Sequence, residues 1–168
     1  IAADDGELSG LAIEELHRLV LRGAVPDLEV IAEAFEAIRK AAERGTRPAI
    51  DVFIESLWHG DCKVRLFAAV GLEAPAKAGD ERALAELLQS IGDVEPQVQQ
   101  AALDGLGCVL AAMEKGNEAT CKALAAQINT LLEMLDHGDT HCAEVVVALG
   151  AAAGKGHVAA IERLLQLA

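Results

Sequence analysis

The residues Ile50, Phe53, Ile54 and Leu57 stand at i, i+3, i+4 and i+7, the spacing of one helical face, and that face recurs along the chain. Thirty-four residues on are Leu84, Leu87, Leu88 and Ile91; 44 further on are Ile128, Leu131, Leu132 and Leu135; another 33 on are Ile161, Leu164, Leu165 and Ala168. Thirty-four residues earlier come Leu16, Leu19, Val20 and Gly23. A second face lies between these. Val30, Ala34, Ala37 and Ile38 return as Val64, Ala68, Gly71 and Leu72, then as Val98, Ala102, Gly105 and Leu106, and after a step of 43 as His141, Val145, Ala148 and Leu149. Two apolar helical stripes per period cannot both be buried within one period, so stability requires stacked neighbours. The pattern predicts an all-α protein, an α-solenoid of about four stacked helical hairpins plus a terminal helix.

One column of the second face, Ala37, Gly71, Gly105 and Ala148, is uniformly small. Gly inside a helix costs about 1 kcal/mol against Ala, and the compensation expected is close approach of a neighbouring helix. The A helices are predicted at 9–22, 47–58, 80–91, 117–136 and 157–167, and the B helices at 27–43, 62–76, 96–113 and 140–153. This is one domain over 1–168, with repeats at about 9–43, 46–76, 79–113 and 116–153 and a terminal helix at 157–167. Ser9, Asp80 and Asn117 suit N-caps. Gly45, Gly79, Gly116 and Gly156 precede the A helices; Pro26-Asp27, His59-Gly60-Asp61, Gly92-Asp93 and His137-Gly138-Asp139 separate A from B. The ten-residue slip between the third and fourth hairpins predicts a long third B helix and a long fourth A helix, or a break of the latter near Thr120.

The composition agrees and narrows the function. Apolar residues are 52% of the chain and aromatics 2%, so Ala and Leu, both good helix formers, carry the hydrophobicity. No apolar run reaches the ~18 residues of a membrane span. The formal charge of −13 opposes approach to phosphate backbones and anionic lipid, and no Lys/Arg cluster offsets it. Nucleic acid is therefore not an expected partner. Cys62, Cys108, Cys121 and Cys142 form no C-x-x-C pair and read as free thiols of a reducing compartment. The opening Ile1-Ala2-Ala3-Asp4-Asp5 has neither an initiator Met nor a signal-type apolar core, which suits a trimmed product or a piece of a longer chain. An intracellular protein is expected, soluble or peripheral, in cytoplasm or an organelle such as the plastid.

The second unit reads Gly60-Asp61-Cys62-Lys63-Val64-Arg65, then Ala68-Ala69-Val70-Gly71-Leu72. This resembles the D-x-x-V-R…A…A-L pattern that opens the inner helix of HEAT repeats. The third, from Asp93 to Leu103, keeps Pro96 and Val98 but has Gln99 in place of Arg; the fourth, from Asp139, keeps only the Asp. The short hairpins and the Gly79-Asp80-Glu81-Arg82-Ala83-Leu84 lead into the third A helix look most like the HEAT-like repeats named after phycobilisome lyases. The resemblance implies a non-catalytic protein–protein interaction scaffold or accessory subunit of a larger assembly, with its inner helices lining a concave groove. Its alternative is a subunit or assembly factor of a photosynthetic pigment–protein complex; an enzyme on a HEAT scaffold ranks below both.

No catalytic, cofactor or metal set emerges. There is no Ser-His-Asp arrangement, P-loop or dinucleotide fingerprint, and Gly154-Lys155-Gly156 reads as a turn. His137, His141 and Cys142 come nearest to a metal cluster, but Gly138-Asp139 breaks the His-x-x-x-His helix that would align them. Cys62 and Cys142, near B-helix starts, have the position of reactive thiols but read as small half-buried residues, and Cys108 and Cys121 as core or near-core. Trp58 is expected partly buried at the end of its stripe, with His59 on the turn. The predicted partner-binding positions are Glu33, Glu36, Phe67, Val70 and Asp104 on the inner helices, and Ile161, Leu164 and Leu165 on the terminal helix. Phe67 and Val70 form an apolar spot rimmed by acid, unless the register is off by one position and Phe67 is core.

Overall fold

A computed structural model of the protein describes residues 28–127 continuously, with further positions at 13, 15, 17, 18, 129–132, 146, 150 and 154. The continuous part is all-helical: α1 Leu28–Glu43, α2 Arg47–Ser56, α3 Cys62–Ala78, α4 Glu81–Ser90, α5 Pro96–Glu114 and α6 Glu118–Ala126. No strand occurs among the described residues. None of their helices is long and apolar enough to cross a membrane.

The helix ends follow from local chemistry that repeats. At the end of α1, Gly45 N–H donates to Ala42 O and Thr46 N–H to Ala41 O. Gly79 and Asp80 repeat the pair on Ala76 and Pro75, and Gly116 and Asn117 repeat it on Met113 and Ala112. Each is a Schellman-type closure, which needs a left-handed residue at the turn. Gly79 supplies it at φ 98°, and a Cβ there would also lie 2.7 Å from the Ala119 backbone carbon, so both dihedral and space require Gly. The chain then re-enters a helix at once. Asp80 accepts from Ala83 N–H at 2.9 Å and Asn117 from Thr120 N–H at 3.3 Å, as N-caps do. Asp61 caps α3 through Lys63 N–H at 2.8 Å. The A-to-B turns repeat as well: His59 N–H donates to Ser56 O at 3.2 Å and, 34 residues on, Asp93 N–H donates to Ser90 O at 3.1 Å.

Packing joins each helix to its sequence neighbour and to the next of its kind. The B helices α1, α3 and α5 pack in series, and so do the A helices α2, α4 and α6; the α3–α5 contact is the most extensive. In α2 to α5 the faces derived from periodicity are the ones buried, whereas α1 buries Phe35, Ile38, Ala41 and Ala42 and leaves Ala34 and Ala37 half-buried. Leu84, Leu87, Leu88 and Ile91 are closed to solvent, as are Val64, Ala68, Leu72, Val98, Ala102 and Leu106. Each fully buried Leu contributes about 1.5–3 kcal/mol relative to an exposed one. The two glycines of the small column make the close contacts expected of them, while Ala37 is half-buried and Ala148 lies outside the described residues. A Cβ on Gly71 would lie 2.3 Å from Phe53 Cε1, and one on Gly105 would lie 3.1 Å from Leu87 Cδ1.

The fourth A helix departs from expectation. It begins at Glu118 as its cap requires, but ends at Ala126; Gln127 turns, and helical residues resume at 129–132. The break falls past the expected position near Thr120 because Thr120 is itself anchored. It is buried, and its hydroxyl donates to Lys77 O at the end of α3 at 2.8 Å. The slip thus combines two steps. Caps Asp80 and Asn117 are 37 residues apart, and α6 buries Thr120, Ala123 and Leu124 before the break, while Leu131 of the expected face is buried beyond it.

Candidate functional site

Residues of α1 and α3 line an open groove of about 730 Å³. Its floor is aromatic. The Phe35 ring stacks on Phe53 at 5.7 Å and on Phe67 at 5.6 Å, with interplanar angles of 20° and 23°. The chain has three phenylalanines in 168 residues, and all three meet here. Phe35 and Phe53 are buried, while Phe67 is half-buried with its edge in the groove. Gly71 makes room for the Phe53 ring and so sets the depth of the floor. Val70, one residue earlier, is 44% exposed on the groove wall.

The rim is charged and polarised. Glu33 and Glu36 stand exposed toward the start of α1, and Lys40 and Arg44 lie toward its end. Between them Arg39 grips Glu36 through two hydrogen bonds of 2.8 and 2.6 Å and pairs with Glu43 one turn on. The Arg39 hydrogen bonds hold the Glu36 carboxyl below its usual range. Four of the predicted partner positions, Glu33, Glu36, Phe67 and Val70, therefore line one groove. Asp104 is exposed on α5, accepts from the Gln100 amide at 2.8 Å and lies off the groove. Ile161, Leu164 and Leu165 lie outside the described residues, as do Cys142, His137 and His141. Both readings of Phe67 hold in part, because the ring stacks on buried Phe35 while the residue is half-buried and lines the groove. The basic end of the rim and the Phe35–Phe53 stack were not anticipated. The signal for the stack was present in the rarity of Phe and its confinement to positions 35–67.

A second, smaller cleft of about 370 Å³ opens at the A-to-B turns, lined by Trp58, Arg65, Glu86, Asp93 and Val94 among others. Arg65 spans the two turns. Its Nε and Nη2 donate to Asp93 at 2.8 and 3.0 Å, and its Nη1 donates to the carbonyls of His59 at 3.0 Å and Gly60 at 3.2 Å. Both side chains are 13% exposed, and the Arg65 hydrogen bonds hold the Asp93 carboxyl below its ordinary range. Gln99, which replaces this Arg in the next unit, donates to Asp93 O as Arg65 does to His59 O. Trp58 is 73% exposed, not partly buried as expected, because Leu57 fills the end of the apolar stripe and Trp58 falls one residue beyond it. His59 Nδ1 accepts from Asp61 N–H at 3.0 Å.

Cys62, Cys108 and Cys121 are free and half-buried. A hydrogen bond to Glu73 and burial push the Cys108 thiol up, away from the reactive thiolate. Among the described residues, no three His, Cys, Asp or Glu side chains come together as a metal site would need. No family model and no curated protein matches this chain.

Proposed function

We propose that the protein is a non-catalytic protein-interaction module, a HEAT-like α-solenoid that binds a partner in the groove between α1 and α3. The gathering of all three phenylalanines beneath that groove carries the reading. Aromatic surface in a cleft of several hundred Å³ is the usual anchor site of a binding partner, and a chain so poor in aromatics places them there together. The serial packing of B on B and A on A helices supports the solenoid, as do turns that repeat at 34 residues. The polarised rim orients the occupant. A protein segment with an apolar anchor on Phe67 and Val70 places basic residues against Glu33 and acidic residues near Lys40 and Arg44.

The test is native co-purification with parent and variant proteins. Val70→Glu and Glu33→Lys alter exposed side chains, so both variants keep the parent's helical circular dichroism. The partner retained by the parent is expected to be lost from Val70→Glu and weakened in Glu33→Lys. Undiminished retention by both variants overturns the assignment of the groove.

A further inference from the structure

Three large apolar side chains are exposed among the described residues: Trp58 at 73%, Val70 at 44% and Val94 at 87%. Val70 belongs to the groove. Trp58 and Val94 both flank the cleft at the A-to-B turns, which shares no lining residue with the groove. An exposed indole beside an exposed Val, over a cleft with polar walls, is the composition of an interaction site.

The charge inside the cleft selects its ligand. Arg65 and Asp93 neutralise each other. Glu86 remains, and its position is telling. The residue 34 places earlier is Val52, a buried apolar residue of α2, so α4 sets a carboxylate where the preceding hairpin sets hydrocarbon. Glu86 Oε2 is closed to solvent and accepts no hydrogen bond. Arg82, one turn away, forms an ion pair with Asp51 at 2.8 Å. Burial raises the Glu86 carboxyl above its usual range, and the Arg82 charge offsets this only in part. A buried acceptor without a donor is costly unless a partner supplies one.

We propose that this cleft binds a cationic side chain, arginine or lysine, of a protein partner, with Trp58 as the face it stacks on and Glu86 as its counter-charge. Cations gain from the face of an indole, the Glu86 charge on the cleft wall attracts a guanidinium or ammonium, and Val94 meets the aliphatic stem or the adjoining residue. The formal charge of −13 draws cationic segments toward the surface in general.

Trp58 is the only tryptophan, so its emission reports directly on the cleft. The full chain is titrated with the tripeptide acetyl-Leu-Arg-Leu-amide, its Lys counterpart and its citrulline counterpart, which keeps the shape of Arg without the charge. A saturable emission change is expected with the Arg or Lys peptide in the millimolar range, with binding about tenfold weaker for citrulline. Glu86→Gln is expected to weaken the cationic peptide about tenfold, and Val70→Glu to leave it unchanged, which separates this site from the groove. Trp58→Leu, followed by calorimetry, is expected to weaken it as well. No saturable change with either cationic peptide, equal binding of citrulline, or undiminished binding by both Glu86→Gln and Trp58→Leu overturns the proposal.

Discussion

The hairpins α2–α3 and α4–α5 follow one 34-residue plan and close on themselves with different tightness. Each B helix offers a glycine to its A helix, Gly71 to Phe53 and Gly105 to Leu87. At 71 the space is filled by an aromatic ring that is also stacked on Phe35, so it cannot retreat. At 105 it is filled by one methyl of a Leu, about a third of an ångström inside ordinary contact. The same column entry therefore meets two needs. In the second hairpin it seats the floor of the groove, and in the third it only eases two helices together.

The sharpest way to break this comparison is a matched pair of alanines. Gly71→Ala is expected to destabilise by about 3 kcal/mol, the upper part of the overpacking range, even after the gain in helix propensity. Gly105→Ala is expected to stay within about 0.5 kcal/mol of the parent, because that gain of about 1 kcal/mol offsets a small shift of Leu87. Urea denaturation of both variants decides; equal losses would mean that the column has a single role.

The two hairpins are also tied at their turns, and the next effect tests that tie. Asp93→Ala leaves the part-buried Arg65 guanidinium without its partner and is expected to cost about 2 kcal/mol. The pH dependence has a definite sign. A folded-state pKa held down by Arg65 makes the pair stabilising above the unfolded carboxylate value near 4, a contribution lost as pH falls through the lower folded value. The gap in melting temperature between parent and Asp93→Asn is therefore expected to be widest near neutrality and to close below about pH 4. A gap that persists in acid would assign the cost to packing instead.

Glu86 against Val52 gives a smaller effect of opposite sign. Burial raises the Glu86 carboxyl, so the ionised form is disfavoured by folding. The parent gains stability as pH falls through the raised value, so Glu86→Gln is expected to melt slightly above the parent at neutral pH, with the advantage vanishing on acidification. A variant that melts below the parent at neutral pH would show that Glu86 already has its donor within the fold. The smallest effect belongs to the other bridge between these hairpins, Arg82 to Asp51. It is exposed, at 63% and 44%, and Arg82→Ala is expected to cost less than about 0.5 kcal/mol and to fade in high salt.

Much of this is legible in one dimension. The faces Leu84–Leu87–Leu88–Ile91 and Val98–Ala102–Gly105–Leu106 follow from spacing alone, because a helix repeats every 3.6 residues and a buried stripe must repeat with it. Helix starts at Asp80 and Asn117 follow because their side chains satisfy amides that the helix leaves free, and Asp61, read as a turn residue, caps α3 in the same way. Legibility fails where the answer depends on a neighbour distant in sequence. The break at Gln127 is displaced by a hydrogen bond from Thr120 to Lys77, 43 residues away. Trp58 reads as the end of a stripe until Leu57 is seen to fill it. Phe67 sits on the boundary between core and groove, and periodicity places a face only to within a residue or so.

By itself, then, the order of residues determined that the described chain is helical, where the helices from α1 to α5 begin and end, and which stripe each of α2 to α5 buries. These are local matters of hydrogen-bond caps, left-handed glycines and apolar spacing, each satisfied within about one turn of chain. Only the tertiary structure decided that the three phenylalanines form one stack, that Arg65 reaches Asp93, and that Glu86 lines the same cleft as Trp58 with one oxygen closed to solvent. Those outcomes join residues from different helices, and their geometry is set by how closely a glycine lets two axes approach, a distance that no spacing in the sequence encodes.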